Sequence, residues 1–231
     1  MIPLRDVIPS RTRPGVTLGL IGFNVLVFLF QAALSDRTAE SFLYTFAVVP
    51  AYFSLVDVFT AMFVHAGLIH LAGNMLFLWI FGDNVEDRLG HARFLVFYLV
   101  CGFVAAFAQT ALNPESLIPM VGASGAVAGV MGAYLVLYPH SRVLMLFPFP
   151  PILFELPAVF FLGFWFVMQF LSGLSTLPVF QAQVSGGVAF WAHVAGFVCG
   201  LVLVLVMRRP ERMEVDWWDV RTGDQEIRSR L

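Results

Sequence analysis

The chain has 231 residues, of which 59% are hydrophobic and only 12% charged, and its mean hydropathy is +0.85. A single soluble core could not bury so much apolar surface, so the composition excludes an ordinary soluble domain and indicates a polytopic membrane protein. The net charge of −2 argues against a nucleic-acid partner.

Six apolar stretches are candidates to cross about 30 Å of hydrocarbon, and they predict an all-α bundle of six transmembrane helices. In chain order they cover residues 16–34, 63–82, 94–112, 124–138, 152–172 and 187–207. The fourth is conspicuously short. We predict a cytoplasmic N-terminal segment over residues 1–15, a membrane domain over 16–207 and a charged cytoplasmic tail over 208–231.

The arginines predict the orientation of these spans. All thirteen basic residues are arginines, and only Arg37 falls in a loop that would face outside. Because basic residues in short flanking segments stay on the cytoplasmic side, both termini are predicted to be cytoplasmic. Residues 41–59 are predicted to be a half-immersed loop rather than a seventh span, because Pro50 and Asp57 interrupt them.

Five polar side chains lie in or at the head of these apolar stretches, where each costs free energy unless it faces the bundle interior or a wet cavity. They are His65, His70, Asn74, Ser124 and His193. Ser124 lies fifteen residues before Pro139, and His193 lies fifteen before Arg208. At the rise of a helix, both are about 22 Å above the cytoplasmic face. The sequence therefore predicts that the serine and the histidine share one depth.

Small residues on the same two spans predict that their backbones approach closely. They are Gly125 and Gly129 on the fourth span, and Ala192, Gly196 and Gly200 on the sixth. Such spacing often means helix packing alone, but close packing here would also bring His193 towards Ser124.

The second span adds hydrogen-bond donors. His70 and Asn74 are spaced i, i+4 and share a helix face, which suits donors for an oxyanion in acyl transfer. A metal site at His65, His70 and His193 is the competing interpretation. We predict no metal, because neither a carboxylate nor a cysteine accompanies these histidines.

Three motifs in order carry a family resemblance: "HAGLIHLAGNMLFLWIFGDNVEDRLG" over 65–90, "GASG" over 122–125 and "AHVAGFVCG" over 192–200. Together they resemble the rhomboid family of intramembrane serine proteases. The resemblance implies that Ser124 is the nucleophile and His193 the general base. It further implies oxyanion donors at His70, Asn74 and the Ser124 amide, and a supporting role for His65.

The flanking glycines, Gly122 and Gly125, are expected to support the site by letting the backbone turn tightly and a substrate strand approach. No carboxylate is expected at the depth of His193, so we predict a dyad without a third member. No cofactor is expected. One departure from the family is that residues 35–62 hold no tryptophan, whereas many members carry a tryptophan–arginine pair in this loop.

The implied partners are the lipid bilayer and single-span transmembrane proteins as substrates, cleaved in a water-filled cavity that opens on the extracytoplasmic side of a cell inner membrane. The fifth span, with the aromatic run 160–173 and the loop 174–187, is expected to form a lateral gate. The alternatives are a catalytically inactive scaffold that binds other transmembrane helices, and a transporter, which the apolar midplane disfavours.

Overall fold

The structure, a computed structural model, describes residues 1–176 and 189–209 of the chain. These residues are mostly helical. The helices are α1 (Gly15–Ala32), α2 (Asp36–Phe46), α3 (Leu55–Ala61), α4 (Leu68–Leu89), α5 (His91–Leu112), α6 (Ser124–Leu137), α7 (Ala158–Ser175) and α8 (Phe190–Met207).

In the described ranges five helices are long and apolar enough to cross a membrane: α1, α4, α5, α7 and α8. The fourth predicted span is the apolar helix α6, which has only 14 residues. At about 1.5 Å per residue it extends roughly 21 Å, which is less than the thickness of a hydrocarbon core. The helix that begins at Ser124 is therefore too short to cross the whole core by itself.

The expectation of an all-α fold was wrong in one region. Three strands, β1 (Ile2–Asp6), β2 (Arg142–Pro148) and β3 (Pro151–Pro157), form an antiparallel sheet in the order β1-β2-β3. The fifth predicted span therefore began too early, since residues 152–157 belong to β3. A short apolar run has no periodicity that separates strand from helix, and this one runs directly into the apolar helix α7.

The segment predicted as a half-immersed loop is largely helical. It contains the second half of α2, a 3-10 turn at Pro50–Tyr52 and most of α3. The backbone of Val48 pairs with that of Met120 through two hydrogen bonds of 3.0 and 2.8 Å. The segment between α1 and α4 is thus attached to the segment that leads into α6.

Helices α6 and α8 pack backbone against backbone, as the small residues predicted. A Cβ atom built on Gly196 would lie against the carbonyl oxygen of Gly125, and one on Gly200 against that of Gly129. Only glycine fits at these crossings, because a backbone carbonyl cannot move aside as a flexible side chain can. This contact fixes the register of α8, and hence the height of His193, relative to α6.

We expect Gly200→Ala to lower the free energy of unfolding by about 1–3 kcal/mol, because the added methyl group would force α6 and α8 apart. Gly163→Ala on α7 is the matched control, since a Cβ there meets nothing within 4 Å. Thermal unfolding in detergent micelles would compare the two variants. Equal losses of stability would contradict the packing described here.

A buried carboxylate holds the start of α1 at the other end of the bundle from Ser124. Glu86 on α4 accepts hydrogen bonds from the backbone amides of Val16 and Thr17, at 2.9 and 2.7 Å, and from the Thr17 hydroxyl at 2.7 Å. A carboxylate at a helix N-terminus satisfies free amides and interacts favourably with the helix dipole. The "DNVEDR" segment therefore fastens α1 to α4.

Asp6 at the end of β1 joins the sheet to the helices. Its carboxylate accepts hydrogen bonds from the Tyr134 hydroxyl at 2.6 Å and from the Asn84 amide at 2.9 Å. Burial raises the pKa of Asp6 to about 7, and the nearby charge of Asp83 adds to the rise. The folded chain thus binds this proton more tightly than the unfolded chain does.

It follows that the free energy of unfolding should fall as the pH rises from about 4 to about 7, and change little from this source above that range. We expect Asp6→Asn to remove this decline and to raise the unfolding temperature at pH 8, because the amide oxygen can still accept from Tyr134. Thermal unfolding of both proteins at pH 5 and pH 8 would measure the effect. The same decline in the variant would exclude Asp6 as its source.

Candidate active site

Ser124 is the first residue of α6, and the backbone just before it is held by its conformation and by a hydrogen bond. Gly122 has a φ of 114°, a region that favours glycine, and its amide donates a 2.8 Å hydrogen bond to the carbonyl of Ala61. The first amides of a helix have no carbonyl partner within that helix. The position of Ser124 therefore combines a fixed hydroxyl with free amides and the positive end of a helix dipole.

His193 lies in the first turn of α8, directly across from Ser124. Its Nε2 atom is 2.8 Å from the Ser124 Oγ atom. Gln109 on α5 accepts a 3.2 Å hydrogen bond from the amide of the preceding residue, Ala192, and so holds the start of α8. The structure brings the two residues of the predicted dyad together at hydrogen-bond distance.

The second ring nitrogen of His193 has a partner that the sequence analysis missed. Its Nδ1 atom lies 2.8 Å from the Oε1 atom of Gln169 on α7. An amide oxygen can only accept, so Nδ1 carries the proton and Nε2 is left as an acceptor for the Ser124 hydroxyl. This is the tautomer that a general base needs.

Trp165 also contacts His193. Its ring centroid is 5.9 Å from that of His193 and 6.0 Å from that of Phe197, and Phe166 packs on Phe197 at 4.9 Å. These two aromatic residues of α7 thus pack inward, whereas Phe160 and Phe164 are exposed. Most of the predicted gate loop, residues 177–187, lies outside the described residues, and a gating movement of α7 stays a prediction.

His70 and Asn74 lie on α4 beside Gly122, two residues before Ser124. A Cβ atom on Gly122 would come within 2.6 Å of the His70 ring and 3.6 Å of the Asn74 amide nitrogen. One amide hydrogen of Asn74 is used in a 3.1 Å bond to the His70 carbonyl, and Asn74 carries a second. Both side chains therefore border the space in front of Ser124.

These groups surround one cavity of about 570 Å³. It is lined by His70, Asn74, Ser124, Trp165 and His193 together with apolar side chains. A second, much smaller cavity of about 50 Å³ also has Ser124 in its lining, together with Gly102, Ala105, Ala106 and Ala192. The arrangement offers room for an extended peptide and, next to the serine, a recess for a small apolar side chain.

His65 and Gly125 take no direct part in this hydrogen bonding. His65 is fully buried just before α4, its ring centroid is 5.1 Å from that of His70, and its carbonyl accepts a 3.0 Å bond from Gln31. Gly125 follows Ser124 and faces Ala105 and Ala192. Across residues 1–176 and 189–209, no three histidine, cysteine, aspartate or glutamate residues are placed to hold one metal ion.

The fold and the site define a class: a multi-pass helical membrane protein with a serine and a histidine joined in a cavity at the start of two helices. A family comparison matches residues 52–210 to the rhomboid domain. The chain belongs to the rhomboid family.

Its relatives include a mitochondrial protein of yeast and one of humans. Rhomboid protein 1 of Saccharomyces cerevisiae is 30% identical over 199 residues, which is 83% of this chain and 53% of the yeast protein. The human presenilin-associated rhomboid-like protein is 26% identical over 220 residues, which is 89% of this chain and 53% of the human protein. The chain thus spans about half the length of these relatives.

A bacterial relative carries the word protease in its name. Rhomboid protease GluP of Bacillus subtilis is 39% identical over 87 residues, which is 38% of this chain and 17% of that protein. The relatives therefore include mitochondrial and bacterial proteins, and a location in a cell inner membrane stays a prediction.

Proposed function

We propose that the protein is an intramembrane serine endopeptidase that cleaves transmembrane proteins with the dyad Ser124 and His193. The observation that carries the proposal is the 2.8 Å separation between Ser124 Oγ and His193 Nε2 within the 570 Å³ cavity. A polar pair inside apolar helices is costly, and a protein that only binds other helices has no use for it.

In the proposed reaction Ser124 Oγ attacks the peptide carbonyl while its proton passes to His193 Nε2. The proton is then given to the leaving amine, which departs and leaves an acyl-enzyme. A water molecule entering from the cavity hydrolyses this ester, with His193 again taking a proton, and Ser124 is restored. The negative charge that develops on the carbonyl oxygen is stabilised by the Ser124 amide, His70 and Asn74.

We further propose that the chain crosses the membrane six times, with α6 as the fourth crossing and both termini on the cytoplasmic side. In this orientation the cavity opens to the extracytoplasmic side. The arginine distribution supports it, because Arg37 is the single basic residue on the opposite side. The tail from residue 210 onward lies outside the described residues.

The small recess beside Ser124 predicts substrate preference. We expect a reporter with alanine before the cut to be cleaved roughly 10- to 100-fold faster, by kcat/KM, than one with phenylalanine, since the 50 Å³ cavity cannot hold an aromatic ring. Competition between the two reporters in one vesicle preparation measures the ratio. Equal rates would mean that this recess does not receive the side chain.

The proposal is tested with the purified full chain and a single-span reporter in lipid vesicles. A protease cleaves the reporter, and Ser124→Ala does not. An inactive scaffold leaves the reporter intact in both cases while still binding it, which pull-down of the intact reporter would reveal. Cleavage that is unchanged in Ser124→Ala would overturn the proposal.

A further inference from the structure

The general base of a serine protease needs a fixed tautomer, and a carboxylate usually supplies it by accepting from Nδ1. Within residues 1–176 and 189–209, no aspartate or glutamate has a side-chain hydrogen bond or ion pair with His193 in the structure. Its Nδ1 atom meets the Oε1 atom of Gln169 at 2.8 Å. A neutral amide therefore occupies the place that a carboxylate takes in a triad.

From this geometry we infer that Gln169 is a positioning residue of the reaction. It accepts the Nδ1 proton, holds the imidazole in the tautomer with a bare Nε2 and keeps that atom on the Ser124 hydroxyl. The inference rests on the proposed function for its catalytic meaning, but the hydrogen bond itself can be tested without turnover.

Among the residues that the structure describes, Gln169 is the one placed to accept the proton of Nδ1. Trp165 packs beside the ring and Ser124 takes the other nitrogen. Neither offers an acceptor to Nδ1, since the indole nitrogen can only donate. Among the described lining residues, the ionisable neighbour across the cavity is His70 on α4.

Gln169, His193 and Ser124 lie on three different helices. The acceptor lies on α7, whereas the base lies on α8 and the nucleophile on α6. Correct orientation of His193 therefore depends on α7 being seated against α8. A displacement of α7 would leave the base free to rotate or to change tautomer, so cleavage is coupled to the position of this helix.

Two substitutions separate positioning from simple packing. Gln169→Leu keeps the approximate volume and removes the acceptor, and we expect it to lower kcat by roughly 10- to 100-fold with little change in KM. Gln169→Glu restores an acceptor as a carboxylate. We expect it to retain activity and to move the acidic limb of the pH–rate profile to higher pH, because a negative charge stabilises the imidazolium form.

Met168→Leu, next to Gln169 and on the exposed side of α7, is the control for a volume change in this helix. It should leave kcat and the pH profile unchanged. A Gln169→Leu variant with unchanged kcat, or a Gln169→Glu variant with an unshifted acidic limb, would overturn the inference while leaving the proposed protease function intact.

The hydrogen bond is read directly by nitrogen-15 NMR of histidine-labelled protein, with the His193 signals identified by their loss in His193→Ala. The measurement is made on the wild type and on Ser124→Ala, which needs no activity. We expect a protonated Nδ1 in both and a shifted tautomer ratio after Gln169→Leu. A protonated Nε2 in the wild type, or a tautomer ratio that Gln169→Leu does not change, would contradict the inference that Gln169 fixes the tautomer of His193.

Discussion

Replacing Ser124 by alanine should reduce cleavage of a single-span reporter by roughly 10⁴-fold or more, because the attacking hydroxyl is lost. His193→Ala should cause a similar loss, since the hydroxyl is a weak nucleophile without its base. The double variant should be no worse than either single one, because the two residues act as one unit. Initial rates in lipid vesicles at saturating reporter measure all three.

Ser172→Ala, on α7 and not among the residues that line the 570 Å³ cavity, serves as the control for removing a serine hydroxyl from a helix. It should cleave at the wild-type rate. Each variant must also retain the wild-type unfolding temperature, so that loss of activity is not loss of the fold. A double variant far less active than either single variant would show that the residues act independently, which is incompatible with a dyad.

His70→Ala and Asn74→Ala should each lower kcat by roughly 10²- to 10³-fold with a smaller effect on KM, because they stabilise charge that exists mainly in the transition state. Both side chains border Gly122 and the cavity in front of Ser124. Steady-state kinetics over a range of reporter concentrations separate the two parameters.

Asn113→Ala is a matched control for the asparagine. Asn113 at the end of α5 donates to the carbonyl of Gln109 at 3.2 Å, much as Asn74 donates to the carbonyl of His70 at 3.1 Å. The control loses the same kind of bond outside the cavity and should keep full kcat. If His70→Ala or Asn74→Ala raised KM and left kcat alone, that residue would bind substrate rather than stabilise the oxyanion.

Helix content could be predicted from the sequence wherever an apolar run is long and has no competing signal. The helices α1, α5 and α6 begin and end within a few residues of the predicted spans. The prediction was wrong at residues 152–157, where two elements of different type are both apolar and adjacent. The pairing of β3 with β2, and of β2 with β1 at the distant N-terminus, is a long-range contact that no local pattern contains.

The proximity of Ser124 and His193 could be predicted because helical rise fixes depth and glycine spacing fixes which faces meet. The partner of His193 could not. Gln169 is the strongly polar residue of the run 160–173, so the cost of burying it was a signal that the sequence analysis left unused. The cost indicates that the buried glutamine has a hydrogen-bond partner, but only the structure identifies that partner as His193.

Gln31 and Gln109 are two further polar residues of this kind. Each is a glutamine in an apolar helix whose side chain reaches another segment: Gln31 donates to the His65 carbonyl, and Gln109 accepts from the Ala192 amide. Each bond holds a backbone group that belongs to a residue of the candidate site or to its neighbour in the chain. Polar side chains in membrane helices can therefore support a site through the backbone without entering the cavity.

The central claim, that Ser124 is a nucleophile activated by His193, is tested most directly by covalent labelling. The reconstituted protein is treated with a fluorophosphonate, which reacts with activated serines, and the modified residue is identified by mass spectrometry. We predict a single adduct on Ser124, which is lost in His193→Ala although Ser124 is still present. Labelling of a different serine, or labelling of Ser124 that does not require His193, would contradict the account.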